Sequence, residues 1–257
     1  MPDARAIFAA IRAAADRHGL NLAAAVPVER YDARVKPAAR AAAIDPAARS
    51  MVVLGNGGGA LWTALNGHAA RNHGWWEREN PLDDFIREVV ERDAAAPARD
   101  AGVRCTIAYP FINGGPALDF VALACAAAIA APSILGVAVH PLFGPWIAFR
   151  AALLLDVVLD EPGEAAGFDP CPGCVARPCL AACPTGAVRF PAGWDVARCL
   201  TYRVEQEADC AGRCHARAAC VLGPGHRYSD DELAYHQMRA LHAMRPYYEA
   251  HIRPTRR

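Results

Sequence analysis

The chain has 257 residues, with 27 Lys plus Arg against 27 Asp plus Glu and a formal net charge of +0. That length holds a sizeable hydrophobic core and fits one large domain with a smaller module better than one uniform domain. The charge balance excludes a strongly basic surface, so nucleic acid is not an expected partner. The start, Met1-Pro2-Asp3-Ala4-Arg5, has no basic stretch followed by an apolar run, which argues against a secretory signal and for a reducing, cytoplasmic setting.

Residues 4–25 pattern as a helix, with Ile7, Phe8, Ile11 and Leu20 among alanines, leading to a polar connection around residues 27–37. Ser50 to Leu54 reads as a buried strand that ends in Gly55-Asn56-Gly57-Gly58-Gly59, with a helix from Ala60 through Leu65. A strand, a glycine loop and a helix start can cradle an anion on free backbone N–H groups. Gly55, Gly57 and Gly58 are therefore the candidate cofactor-binding residues. No Walker lysine and no ribose-binding acid accompany them, and a structural turn is the simpler account.

His68, Arg71, His73, Trp75 and Trp76 form a polar and aromatic patch ahead of a helix that Asn80-Pro81 opens. A ligand pocket and a surface lid over the core are both open readings of it. Cys105 to Tyr109 is a second strand, and a turn from Phe111 to Gly115 leads to the apolar stretch Phe120 to Ala131. That stretch is twelve residues long, too short to span a bilayer, so no membrane contact is expected. Cys105 and Cys125, in apolar company, read as inert thiols. His140-Pro141-Leu142-Phe143-Gly144-Pro145-Trp146 then turns into the apolar run Ile147 to Val158, and Asp160-Glu161-Pro162-Gly163 marks a boundary near residue 160. The division is thus an α/β lobe over 1–160 with a possible small-molecule site, and a cysteine module with a C-terminal helix over 161–257.

Eight of the ten cysteines lie between Cys171 and Cys220, and the first four read Cys171-x2-Cys174-x4-Cys179-x3-Cys183-Pro184. Three close cysteines followed by Cys-Pro suit a cubane iron–sulfur cluster, whose tight loop aims three thiolates inward while a fourth comes from far along the chain. In two-cluster ferredoxins the cysteine before the proline serves the other cluster. One set is then Cys171, Cys174, Cys179 and Cys220; the other is Cys183, Cys199, Cys210 and Cys214. Two [4Fe-4S] clusters in a small ferredoxin-like α+β module are the expectation. The spacing departs from that pattern in the x4 gap Val175 to Pro178 and in Cys214-x5-Cys220-Val221, which lacks a second Cys-Pro. Two four-thiolate zinc sites, or disulfides, are the alternatives. Arg177, Arg213, His215 and Arg217 lie between or beside the ligands and could favour a reduced cluster or simply solvate the module. Past the last cysteine, Gly223-Pro224-Gly225 turns the chain and Ser229-Asp230-Asp231-Glu232 is a capping box for a helix with Ala234, Met238 and Leu241 on its apolar face. The tail His251 to Arg257 is basic.

The Gly144-Pro145-Trp146 turn, the Cys171 to Val188 run and Arg198-Cys199 together resemble the epoxyqueuosine reductase family, over roughly residues 100–225. Reductive dehalogenases are similar in architecture. The resemblance implies a nitroreductase-like lobe that holds cobalamin beside a two-cluster module, with the clusters feeding electrons singly to the corrinoid. The family's corrinoid-contacting stretch is represented only by Ile134-Leu135-Gly136-Val137-Ala138-Val139, and its catalytic acid falls around Asn113 to Asp119, where Asp119 is the one carboxylate and is out of register. The tRNA-binding helical repeats that follow the family's module have no counterpart in the thirty-seven residues after Cys220. The sequence therefore favours an iron–sulfur redox protein served by an electron donor it does not identify. A cobalamin-dependent reductase comes second, and a structural zinc module third.

Overall fold

The computed structural model describes residues 3–111 and 116–253, with the backbone alone at 207 and 208. The chain forms two compact units. The first comprises residues 1–131 and 147–168; the second comprises Pro132–Trp146 and Asp169–Arg257.

The first unit is a mixed α/β fold on a small antiparallel sheet. It opens with helix α1 (Ala4–Asp16), started by the Asp3 side chain accepting from the Arg5 N–H and burying Ile7, Phe8, Ile11, Ala14 and Ala15 along one face. The helix is shorter than the 4–25 span predicted. Gly19 reverses the chain at φ 78°, and Leu22–Pro27 is strand β1, fully paired with β2 (Ser50–Gly57) from Leu22 opposite Gly55 to Pro27 opposite Ser50. Burial on a sheet has overridden alanine's helix propensity.

Helix α2 (Val28–Asp32) follows β1; α3 (Ala60–Arg71) follows β2; α4 (Pro81–Val89) and α5 (Ala96–Asp100) lead to β3 (Cys105–Ala108). Helix α6 (Phe120–Ala126) takes up only part of the apolar stretch, and β4 (Ile147–Leu155) closes the sheet in the order β1-β2-β4-β3, every pair antiparallel. Every residue of β2 is buried, as a central strand covered on both faces requires. Residues 159–165 stay with this unit, since Glu161 bridges Ala25 and the Gly163 N–H donates to the Ala127 carbonyl.

The second unit contains short helices α7 (Pro170–Gly173) and α8 (Pro178–Ala182), a two-residue ladder of β5 (Val188–Arg189) with β6 (Gly193–Trp194), helices α9 (Val196–Glu205), α10 (Glu207–Cys210) and α11 (His215–Ala218), and the long α12 (Asp230–Tyr247). Ser229 caps α12 by accepting from the Glu232 N–H at 3.3 Å. Its buried face is Leu233 and Leu241, whereas Met238, predicted for that face, is 59% exposed. Helix α12 packs mainly on α9, where Leu200, Leu241, Tyr248 and Ile252 cluster, and that contact selects a different stripe.

Pro132–Trp146, which the sequence reading kept with the first lobe, clusters with the second unit for reasons of packing. Trp146 forms a core with Tyr228 and Leu233. Gly136, at φ 74°, lies so close to Trp194 that a Cβ there would overlap the indole. Gly136→Ala is expected to destabilise this unit by about 3 kcal/mol, since it combines a left-handed alanine with overpacking against a ring. The denaturant midpoint followed by tryptophan fluorescence checks it, and a midpoint equal to wild type would show that the loop can move away.

Candidate metal centre

The eight clustered cysteines divide into two groups in space. Cys171, Cys174, Cys179 and Cys220 line one cavity. Cys183, Cys199, Cys210 and Cys214 line another, of ≈ 200 Å³. The first group is gathered by α7, by α8, whose second residue is Cys179, and by the turn after α11 that delivers Cys220. The second is gathered by the end of α8 at Cys183, by α9 at Cys199, and by Cys210 and Cys214 flanking the turn between α10 and α11. Sequence neighbours are therefore separated: Cys183 leaves the group of Cys179, and Cys220 leaves that of Cys214.

Electrostatics follow the same division. Burial pushes the Cys179 thiol up, and Cys220, Cys171 and Cys174 add to the effect. Cys210 is pushed up to about 11 by burial, then by Asp209, Cys214, Cys199 and Cys183. Burial likewise raises Cys199 and Cys220. Cys183 behaves differently. Burial would raise it, but the N–H groups of Val188, Thr185 and Ala187 and the Thr185 hydroxyl aim at its sulfur and leave it lowered. Sulfur that accepts several N–H bonds is stabilised as thiolate, the form a metal binds.

Around the second group, His215 Nε2 lies 3.0 Å from Asp209 Oδ1 and the Tyr202 hydroxyl donates to Asp209 Oδ2 at 2.9 Å. Asp209, Cys210 and His215 have ligand atoms within 4.8 Å of one another. Sequence reading singled out His215 but passed over Asp209, a residue that only the turn between α10 and α11 brings to it. Arg217 donates from Nε and Nη2 to the Pro145 carbonyl at 3.0 and 2.6 Å and lies over the rings of Trp146 and Tyr228. It lines the second cavity. Arg177 instead reaches the Pro172 carbonyl and stacks on Phe190.

The glycines are placed elsewhere, in the first unit. Gly55 and Gly57 belong to β2, opposite Phe149 and Ile147, beyond a bulge that shifts the register between Leu54 and Gly55, where Arg150 Nε donates to Asn56 Oδ1 at 2.9 Å. A Cβ on Gly55 would stand 2.7 Å from the Ala148 carbonyl oxygen, so close backbone approach accounts for that glycine. The Gly57 N–H is taken by Asn21 Oδ1 at 2.7 Å. Gly58 turns the chain at φ 64° before α3. Asp119 caps α6, its Oδ1 accepting from the Ala122 N–H; Asn113, Gly114 and Gly115 lie outside the described residues, as do Met1, Pro2 and the last four residues of the basic tail.

Cys105 and Cys125 stand apart from both groups. Burial pushes the Cys105 thiol up to about 11, with Arg99 opposing, and raises Cys125 as well. At pH 8 roughly one Cys105 in a thousand is then the reactive thiolate. Iodoacetamide should label Cys105 at least about 100-fold more slowly in the folded protein than in urea, by mass spectrometry of its peptide. Comparable rates would contradict the burial.

No protein-family model matches the chain, and no curated protein matches it. Solved structures do match in fold. The B12-trafficking protein CblC of C. elegans, a human MMACHC homologue, aligns with TM-score 0.60 at 12% identity over 91% of each chain. Epoxyqueuosine reductase from Bacillus subtilis aligns at 0.52 and 15% identity, over 90% of this chain and 69% of that one. The catabolic reductive dehalogenase NpRdhA aligns at 0.53 and 19% identity, over 91% of this chain but 34% of the dehalogenase. The fold is thus one shared by B12-related proteins, two kinds of which are reductases. Among the described residues no helix is long and apolar enough to cross a membrane.

Proposed function

We propose that the chain is an iron–sulfur redox protein whose two four-cysteine groups each hold a [4Fe-4S] cluster, passing single electrons to an acceptor. The observation that carries this reading is the gathering of the eight thiols, in two sets of four, at two cavities. Zinc bonds to sulfur at about 2.3 Å, which draws the four sulfurs of a tetrahedral site to about 3.8 Å from one another. Among the described residues, three ligand atoms lie within 4.8 Å of one another at Asp209, Cys210 and His215, and not at three thiols of either set. Four thiols around an open cavity, drawn from loops far apart in sequence, fit a larger inorganic core.

Cys171, Cys174, Cys179 and Cys220 would hold one cluster and Cys183, Cys199, Cys210 and Cys214 the other. A [4Fe-4S] cluster supplies one-electron transfer at a potential set by burial, nearby charge and N–H bonds to its sulfurs. The N–H groups around Cys183 and the guanidinium of Arg217 favour the more negative, reduced state. Anaerobic purification should give about eight irons and matching acid-labile sulfide per chain. Colourless protein without labile sulfide would falsify the proposal, and zinc in its place would favour the structural alternative.

Arg217→Gln should lower a cluster potential by a few tens of millivolts, because a positive charge that favours the reduced state is gone. Arg217→Lys should restore most of it. Protein-film voltammetry reads both, and a potential that stays or rises in Arg217→Gln counts against the role.

A corrinoid is the class of acceptor that the fold likeness favours. Ile134, Leu135 and Val139, from the stretch that resemblance sets beside the family's corrinoid contacts, line the first thiol cavity instead. The cobalamin reading therefore rests on the fold alone, and no step is assigned to it. Titration with hydroxocobalamin decides it: a shift of the visible bands at stoichiometric protein supports a corrinoid-dependent reductase, and unchanged bands leave electron transfer to another acceptor.

A further inference from the structure

In the first unit, a cavity of ≈ 320 Å³ is lined by residues of α3, α4 and the C-terminal end of α1, together with Arg92 beyond α4. It belongs to neither thiol group. Arg17, Arg71 and Arg92 line it together with His18, His68 and the apolar Phe85. The carboxylates nearby are already engaged. Glu88 holds Arg92 at 2.7 Å, and Asp93 holds both Arg92 at 2.9 Å and His18 at 2.7 Å. Arg17 reaches only the Ala13 carbonyl, at 3.4 Å, and among the described residues neither Arg17 nor Arg71 forms an ion pair.

His68 adds an independent observation. Its ring is fixed between Trp75, at 4.2 Å and T-shaped, and Phe85, at 5.1 Å, and Trp75 is itself held by its indole N–H donating to the Pro81 carbonyl. Yet His68 Nε2 is buried without a hydrogen-bond partner. The nearest carboxylate oxygen, of Glu88, is 3.8 Å away, beyond hydrogen-bond reach. A buried polar atom left unpaired is costly, so such groups usually mark an absent partner. Burial, and then the arginines Arg71, Arg92 and Arg78 against the attraction of Glu88, hold the imidazole below its usual range. A neutral ring can still donate one N–H.

Two guanidinium groups without counter-ions, an unpaired imidazole nitrogen and no uncommitted carboxylate make a cavity that repels cations and suits an oxyanion. We infer that this cavity binds the oxyanion of a small metabolite, a phosphate ester or a polycarboxylate, through Arg17 and Arg71, with His68 as the buried donor. His68 and Arg71 of the polar and aromatic patch line that site, and Trp75 packs against the imidazole. The inference does not depend on the clusters.

Equilibrium dialysis of the anaerobically purified full chain against labelled inorganic phosphate, and separately citrate, at ionic strength held constant with chloride, tests it. One saturable equivalent of at least one probe is expected, and which probe binds distinguishes the two sources of the anion. Arg17→Gln/Arg71→Gln should weaken binding at least about tenfold per lost contact, and His68→Gln less. Unchanged circular dichroism shows that the variants fold. Should the double variant fail to fold, Arg71→Gln alone, at an exposed position, should still lose about tenfold. Absence of saturable binding of either probe, or equal affinity in a folded arginine variant, overturns the inference.

Discussion

Cys179→Ala and Cys199→Ala, purified anaerobically, are each expected to lose about half of the iron and labile sulfide. Cys179→Ala/Cys199→Ala is expected to lose nearly all of it. Cys179→Ala/Cys220→Ala should lose little more than Cys179→Ala alone. This follows from the division of the thiols: Cys220 lies with Cys171, Cys174 and Cys179 although only five residues separate it from Cys214. A cluster that has lost one thiolate can persist with three irons, so the double variants decide the division more cleanly than either single one. If Cys220→Ala instead adds its loss to that of Cys179→Ala, Cys220 serves the other cluster. If all variants keep their iron, the cysteines are not ligands.

How much of this was legible beforehand depended on which signals are local. The cysteine spacing is local: the Cys-Pro rule at Cys183-Pro184 pointed to the same two sets of four that the cavities bring together. Strand β2 was legible because Met51, Val52, Val53 and Leu54 form an unbroken buried run. Strand β1 was not, because Leu22 to Ala25 carries the same alanines as the helix before it, and only pairing with β2 decides its state. The glycines after Leu54 leave an anion-binding loop open beside the simpler structural turn, since sequence cannot show that Gly55 faces a carbonyl across a bulge. Asp209 was missed for a related reason: a lone exposed aspartate carries no signal until a turn sets it against His215. The anion cavity was half visible. Its patch is visible in the sequence, but Arg17 comes from a helix end some fifty residues earlier in the chain.

Removal of iron is expected to unfold the second unit as a whole while the first keeps its sheet. The first unit has a continuous core built on four strands, with β2 buried along its length. The buried hydrophobic groups of the second include Leu200, Leu241, Tyr248 and Ile252; Trp146, Tyr228 and Leu233; and Cys179, Val188 and Ala216. Only the first of these lies between two helices of more than two turns, α9 and α12. The third is centred on a ligand cysteine. Small separate cores of this kind do not offset the entropy of ordering so irregular a chain, and in such modules metal binding supplies the folding free energy. Each proposed cluster also ties together segments from both ends of the region, since Cys220 closes the set begun at Cys171, and Cys183 begins the set that ends at Cys214. Losing both should therefore free the whole region. Chelation under oxidising conditions, followed by limited proteolysis and far-ultraviolet circular dichroism, should show cleavage throughout residues 169–253 and loss of helical signal, with β1, β2 and β4 protected. Retention of an intact α9 and α12 after complete iron loss would mean that the helical pair, and not the metal, holds this unit together.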